Sequence, residues 1–225
     1  MSDSVTRVLA IRHGETAWNL ASRIQGQLDI GLNNTGLWQA RRLALALADA
    51  GVSALYASDL KRARQTAQAV SARTGLPVVT DSGLRERAFG IFEGQTYADI
   101  ERRWPAQSRR WRQRDPAFGA EGGETLAAFY DRSVACATRL AASHPGETIA
   151  LVAHGGVMDC LYRAATRAGL QAPRTWQLGN ASINRLLYSP EGLTLVGWND
   201  ALHLHADATD AAACREEAQP RERAA

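Results

Sequence analysis

The sequence predicts an α/β fold in which a mostly parallel sheet carries helices on its faces. Three observations predict it. Residues 6–80 alternate short apolar runs with segments of helical period, in the order β–α–β–α–β. Two apolar runs far apart in the chain end alike, Val8–Ile11 in Arg12-His13-Gly14 and Thr148–Ala153 in His154-Gly155-Gly156. The 225 residues are enough for one large domain of this class.

The first strand is expected over 6–12 and is followed by a loop-rich segment, 17–34, carrying Asn19, Gln25-Gly26 and Asn33-Asn34. Thr35 is a plausible N-cap for a helix whose Leu37, Ala40, Leu43, Ala44 and Leu47 recur at helical spacing, with Gly51 closing it. Ala54–Ala57 is a short strand. Ser58 or Asp59 would cap a helix over about 60–73, which Gly75 ends, and Pro77–Thr80 is a third strand. Residues 81–122 break this rhythm with Arg85-Glu86-Arg87, Phe92-Glu93-Gly94 and a Trp/Arg-rich run punctuated by Pro105 and Pro116. That is too long for a plain connector, so a cap or lid over the crevice is expected. A long helix over about 125–143, a strand over 148–153 and a helix over 156–168 follow. Ser182–Tyr188 and Leu193–Trp198 form a late hairpin around Ser189-Pro190-Glu191-Gly192. After about residue 206 the chain loses its apolar face, and a frayed tail is expected over 206–225.

Composition narrows the function. A net charge of +3 is too small to argue for nucleic acid. Lys61 is the only lysine, so the basic residues are almost all arginine. Cys136, Cys160 and Cys214 are scattered and odd in number, which suggests a reducing compartment rather than a disulfide framework or zinc site. Met1-Ser2-Asp3-Ser4 does not begin a signal peptide, and no apolar run approaches the ~20 residues that span a bilayer. A cytoplasmic protein that binds no membrane and no nucleic acid is expected.

The candidates for chemistry are Arg12, His13, Arg62, Glu86 and His154. Ligands in open α/β sheets sit at the carboxyl ends of strands, and each of these residues lies at or near one. If the two strands that end in His-Gly are parallel neighbours, both imidazoles face one crevice. Arg62 stands in the first turn of a helix, against the preference of the helix dipole for anions there, as an anion clamp would. Two arginines, two imidazoles and a carboxylate suit phosphoryl transfer. The arginines position the dianion and supply charge, while a neutral imidazole attacks phosphorus. Nearby arginines would push that imidazole below its usual pKa of ~6.5. Glu86 would give the leaving alkoxide its proton.

Arg12-His13-Gly14-Glu15-Thr16, with Trp18-Asn19 behind it, resembles the signature of the histidine phosphatase superfamily, the phosphoglycerate mutase-like proteins. The resemblance extends over about 5–203. It includes Arg23–Gln27 with Leu32–Gly36, Ser58–Ala67, Leu84–Glu86 with Phe92-Glu93-Gly94, Gly122–Thr125, Val152–Gly156, and Asn199-Asp200 with His203-Leu204. It implies a three-layer α/β/α sandwich with a small helical cap: one domain over 1–205, the cap inserted at about 85–122.

The resemblance also implies roles. His13 is the nucleophile that becomes phosphorylated and Glu86 the proton donor. His154 hydrogen-bonds the transferring group. Arg12 and Arg62 clamp it, helped by Asn19 and the Gly155 amide. Gln25 and Gly26 line the substrate side, and Arg64 is a further substrate candidate. No metal or other cofactor is implied; His203 and His205 are not read as a metal pair.

Phosphatases and mutases of this kind share the first half-reaction. The mutases carry a tyrosine-containing stretch where this chain has Glu86–Gly94, and a longer cap, so the sequence favours hydrolysis of a small phosphorylated substrate. A 2,3-bisphosphoglycerate-primed phosphoglycerate mutase and a non-catalytic phosphate-binding adaptor are the alternatives. The run Arg102–Arg114 could meet a carboxylate or second phosphate or form a solvated helix face, and Trp104, Trp111 and Phe118 could line a pocket or seat the cap. Either a monomer or a homodimer is compatible with the sequence.

Overall fold

The computed structural model describes residues 5–205. The expected tail over 206–225, Met1–Ser4 and Cys214 lie outside the described residues. Six strands form one sheet: β1 (Thr6–Arg12), β2 (Ala54–Ala57), β3 (Val78–Thr80), β4 (Thr148–Ala153), β5 (Ile183–Ser189) and β6 (Gly192–Asp200), in the order β3-β2-β4-β1-β5-β6. β3, β2, β4 and β1 are parallel, and the hairpin β5–β6 adds antiparallel strands beside β1. In the β1–β4 register Arg12 stands opposite Ala153. The repeated His-Gly ending is thereby explained: His13 and His154 leave adjacent strand ends at the same sheet edge.

The alternation of side chains along each strand divides the core into two layers. Leu9, Ile11, Ala150 and Val152 face α2 (Asn34–Leu47) and α3 (Lys61–Thr74). Val8, Ala10, Ile149, Leu151 and Ala153 face α6 (Leu126–Ala142) and α7 (Gly155–Thr166). Every residue of β4 is buried, as expected of a central parallel strand covered on both faces. This is the three-layer sandwich.

Between β3 and α6 lie two 3₁₀ turns, Ser82–Leu84 and Gly90–Phe92, then α4 (Tyr97–Arg103) and α5 (Pro105–Arg112). They form the helical cap and have a small core of their own, with Ile24 joining Phe92, Ile100 and Phe118. Phe92 is fully buried, its ring centroid 5.6 Å from those of Trp104 and Trp111 and 6.2 Å from that of Phe118. Trp104 and Phe118 therefore seat the cap, and Trp111 both seats it and lines the cavity beneath.

Local signals were partly misread by sequence. Residues 17–34 contain a helical turn, α1 (Ala17–Leu20), whose capping box is made by Thr16 and Asn19. α2 is capped by Asn33, whose side chain accepts from Gly36 N, not by Thr35. Its C-cap is Ala48, and Gly51 turns the chain farther on at φ +65°. Neither Ser58 nor Asp59 caps α3. Asp59 takes a two-point bond from Arg85, and the amide of Lys61 is met instead by Asp29, 32 residues earlier. Gly75 does end α3 in the left-handed conformation.

Candidate active site

His13 follows β1 and is almost wholly buried. Its amide donates to Ala153 O at 2.9 Å, and its own carbonyl accepts from Asn180 Nδ2 at 3.0 Å. Its Nδ1 lies 2.6 Å from the carbonyl oxygen of Gly14. A carbonyl can only accept, so Nδ1 carries the proton and Nε2 keeps its lone pair for the cavity. Burial, then the charges of Arg62 and Arg12, hold the imidazole well below its usual pKa, partly opposed by the Gly14 bond. His13 is therefore neutral at pH 7.

Two guanidinium groups flank it. Arg62, from the first turn of α3, is 1% exposed. It donates to Gly26 O (2.7 Å), Leu28 O (2.9 Å) and His154 Nδ1 (3.2 Å). Burial lowers its pKa to about 10, with Glu86 and Asp29 opposing, so it stays charged at neutral pH. Arg12 donates from Nη1 to Leu178 O at 2.8 Å, while its buried Nε has no partner among the described residues. Each guanidinium has five N–H donors, so both keep donors for an anion.

His154 is fully buried. Arg62 Nε can only donate, so His154 Nδ1 accepts; Nε2 then carries the proton and donates to Ser58 Oγ at 2.8 Å. Burial, Arg62 and His13 keep this imidazole neutral. In this arrangement it aligns Arg62, and a direct bond to an anion would require its Nδ1 to take the proton and release Arg62.

Glu86 faces the same cavity. Its Oε2 accepts from Gly156 N at 3.0 Å and its Oε1 from Arg87 N at 2.9 Å, so two amides fix the carboxylate. A Cβ on Gly156 would stand 2.2 Å from Glu86 Oε1 and 3.0 Å from the Phe129 ring, which is why the first turn of α7 has a glycine at this position. The supporting contacts come from two motif glutamates. Glu93 Oε1 accepts from Gln27 N and Phe89 N, tying the Gln25–Gly26 loop to the cap. Glu124 holds Ala88 N and Arg132, and Arg132 donates to Gly83 O and Arg85 O beside Glu86. Burial would raise the Glu124 pKa, but the bonds from Arg132 and Ala88 outweigh it and leave the carboxyl lowered.

Arg12, His13, Arg62 and Glu86 line a cavity of about 290 Å³ whose wall also includes Asn19, Gln25, Gly26, Tyr97, Gly155 and Arg174. Residues 8–201 match the model of the histidine phosphatase superfamily (branch 1). The chain belongs to the histidine phosphatase superfamily. It is 38% identical over 201 residues to phosphoglycerate mutase-like protein 4 of Arabidopsis thaliana, covering 88% of this chain and 86% of that one. It is 34% identical over 207 residues to the metal-independent phosphoserine phosphatase of the same plant, covering 91% and 85%. Among solved structures, a mycobacterial glucosyl-3-phosphoglycerate phosphatase complexed with VO3 superimposes with a TM-score of 0.77 at 34% identity, over 87% of this chain and 99% of that one.

Within this histidine phosphatase, the structure brings together Arg12, His13, Arg62, Glu86 and His154, with Asn19, Gln25, Gly26 and Gly155 on the cavity wall. It does not bring in Arg64. That side chain is exposed and absent from the wall, because on a helix residues i and i+2 do not share a face and Arg62 points inward. Most of the Arg102–Arg114 run is paired: Arg102 with Asp99, Arg110 with Asp115 and Arg112 with Glu101 locally, and Arg114 with Asp159 of α7. Of these, only Arg114 reaches the cavity. The terminal motif is also structural, since Asn199 Oδ1 accepts from Gly179 N and His203 O from Arg42 Nε. No group of three or more His, Cys, Asp and Glu among the described residues could hold a metal ion. No helix there is long and apolar enough to cross a membrane.

Sequence reasoning missed Asn180, Tyr97 and Arg174. Asn180 Nδ2 reaches the carbonyls of His13 and Gly14 and Asn19 Oδ1, joining β1 to the α7–β5 segment. A lone asparagine in a loop gives no signal of this.

Proposed function

We propose that this protein is a phosphomonoester phosphatase that works through a phosphohistidine on His13 and acts on a small phosphorylated metabolite. The observation that carries this reading is the state of His13: neutral, with Nδ1–H held by Gly14 O and Nε2 turned to a cavity flanked by Arg12 and Arg62. Nε2 attacks phosphorus as the ester P–O bond breaks, and Glu86, as general acid, passes a proton to the leaving oxygen. The carboxylate then takes a proton from water, whose oxygen attacks phosphorus and breaks the P–N bond, returning His13 and releasing inorganic phosphate. Arg12 and Arg62 hold the equatorial oxygens throughout and supply the positive charge without a metal or other cofactor. His154 keeps Arg62 in register. The relatives named for phosphoserine and glucosyl-3-phosphoglycerate support a small metabolite as substrate.

We read residues 1–205 as one histidine phosphatase domain with the cap inserted at about 85–122. The buried free thiols Cys136 and Cys160 suit a cytoplasmic enzyme.

The test is hydrolysis of an aryl phosphate in EDTA by the protein and its His13→Ala variant. A loss on the order of 10⁴–10⁶-fold is expected, and activity that survives would remove His13 from the mechanism. Phosphorus NMR with 3-phosphoglycerate and a trace of 2,3-bisphosphoglycerate separates the mutase. Free phosphate is expected, and 2-phosphoglycerate without free phosphate would reverse the assignment.

A further inference from the structure

One cation on the cavity wall is not used by the phosphoryl chemistry. Arg174 lies between α7 and β5, is exposed, and faces the same space as Tyr97 and Trp111. The other arginines of the wall have work elsewhere. Arg87 donates to Phe118 O and Glu124 O, Arg114 to Leu170 O and Asp159, and Arg23 to Gly94 O. Arg12 and Arg62 flank His13. Arg174 makes no hydrogen bond or ion pair with any described residue.

Its backbone is nevertheless fixed on both sides. Ala172 O accepts from Arg163 Nη2 at 2.9 Å, Trp176 stacks on Tyr162 with centroids 3.8 Å apart, and Leu178 O accepts from Arg12 Nη1 at 2.8 Å. Pro173 removes a further degree of freedom beside it. Arg174 also stands close enough to Arg12 to help lower that residue's pKa, after burial, the largest cause. A guanidinium carried on a fixed stretch of backbone at the cavity wall, among like charges and with no anion of its own, is a site for an anion brought by a ligand.

We infer that Arg174 is a specificity residue that holds a carboxylate of the substrate at the cavity mouth while Arg12 and Arg62 hold the phosphoryl group. The planar fork of one guanidinium matches the two oxygens of a carboxylate, and Tyr97 lines the same wall. Both anion sites line one cavity of about 290 Å³, so the preferred substrates are phosphomonoesters with a carboxylate a few bonds from the ester oxygen. This assignment rests on the phosphatase reading above.

The test compares 3-phosphoglycerate with glycerol 3-phosphate, which replaces the carboxylate by a hydroxymethyl group. Binding is measured by calorimetry on the inert His13→Ala protein, so the readout does not need turnover. Preference for 3-phosphoglycerate by about 10-fold or more is expected, equivalent to ~1.4 kcal/mol. Adding Arg174→Ala should bring the two ligands within about 2-fold, and Arg174→Lys should retain part of the preference. In the active enzyme the selective loss should appear in KM for 3-phosphoglycerate more than in kcat. Equal binding of the two ligands, or a preference that survives Arg174→Ala, overturns the inference. A selectivity that holds while aryl phosphate goes unhydrolysed would instead remove the phosphatase reading and leave the anion site standing.

Discussion

At its deep end the cavity is walled by His13 and Arg62, with His154 bonded to Arg62 behind them, all under 4% exposed; His13 Nδ1, the Arg62 guanidinium and both His154 ring nitrogens are held by a backbone carbonyl, a hydroxyl or one another. At its mouth Tyr97 and Arg174 are exposed, and Tyr97 is held by stacking on Trp111 at 5.3 Å and 2°. The deep end is organised before any ligand arrives, which is what stabilisation of a charge-dispersed transition state requires. The mouth is shaped by surface side chains that can change without disturbing the sheet. The difference teaches that reaction and selectivity are built on separate supports. The first rests on β1, β4 and α3, and the second on the cap and the α7–β5 segment.

The sharpest way to break this comparison is Arg62→Ala. It removes half of the clamp and leaves the buried carbonyl of Gly26 and His154 Nδ1 without their donor. We expect kcat to fall on the order of 10²–10³-fold, and urea denaturation to show a stability loss of ~2–4 kcal/mol. Arg62→Lys should restore little of either, since an ammonium cannot span Gly26 O, Leu28 O and His154 at once. An Arg62→Ala protein as stable as the parent would show that the deep end is not prewired.

Much of the deep end was legible in the sequence because it follows strand ends. The two runs ending in His-Gly are period-free apolar strands, and a β–α–β rhythm makes them parallel, so the meeting of His13 and His154 follows from topology. Arg64 was misplaced because a motif gives a residue's number and not the side of the helix it faces. The mouth was illegible for a different reason. Arg174 is placed by Trp176 stacking on Tyr162 and by Arg163 reaching Ala172 O, contacts between segments that no local pattern announces. Glu93 reads as a branch marker in the sequence, yet its carboxylate serves to tie two loops together.

Acid should separate the two ends. In the unfolded chain both site histidines bind protons as pH falls through ~6.5. In the folded protein they stay neutral, held well below that value first by burial and then by the nearby arginine charges. The unfolded state then binds more protons, so stability falls as pH drops below ~6.5, by up to ~1.4 kcal/mol per pH unit for each histidine. Urea midpoints at pH 7 and pH 5 measure this. A His154→Asn variant should show a shallower decline, and an unchanged slope would mean that His154 is not the buried neutral base described here.

A smaller effect is expected at the joint between the two ends. Glu93→Ala removes the acceptor shared by Gln27 N and Phe89 N and should cost about 1–3 kcal/mol. Glu93→Gln keeps an oxygen there and should cost less. Aryl phosphate hydrolysis and thermal melting of both variants, read together, separate a loosened loop from a lost charge. Equal effects of the two substitutions would make the charge, and not the acceptor geometry, the feature that matters.

Arg64→Ala should do least. The side chain is exposed, lies off the cavity wall and precedes Gln65, whose Oε1 is what accepts from Leu32 N. Exposed substitutions of this kind usually stay within about 0.5 kcal/mol in stability, and kcat/KM for any phosphomonoester should stay within ~2-fold. If the variant instead lost activity on carboxylated substrates alone, the mouth would extend past Arg174 onto α3. The division between a rigid deep end and an adjustable rim would then run through that helix rather than beside it.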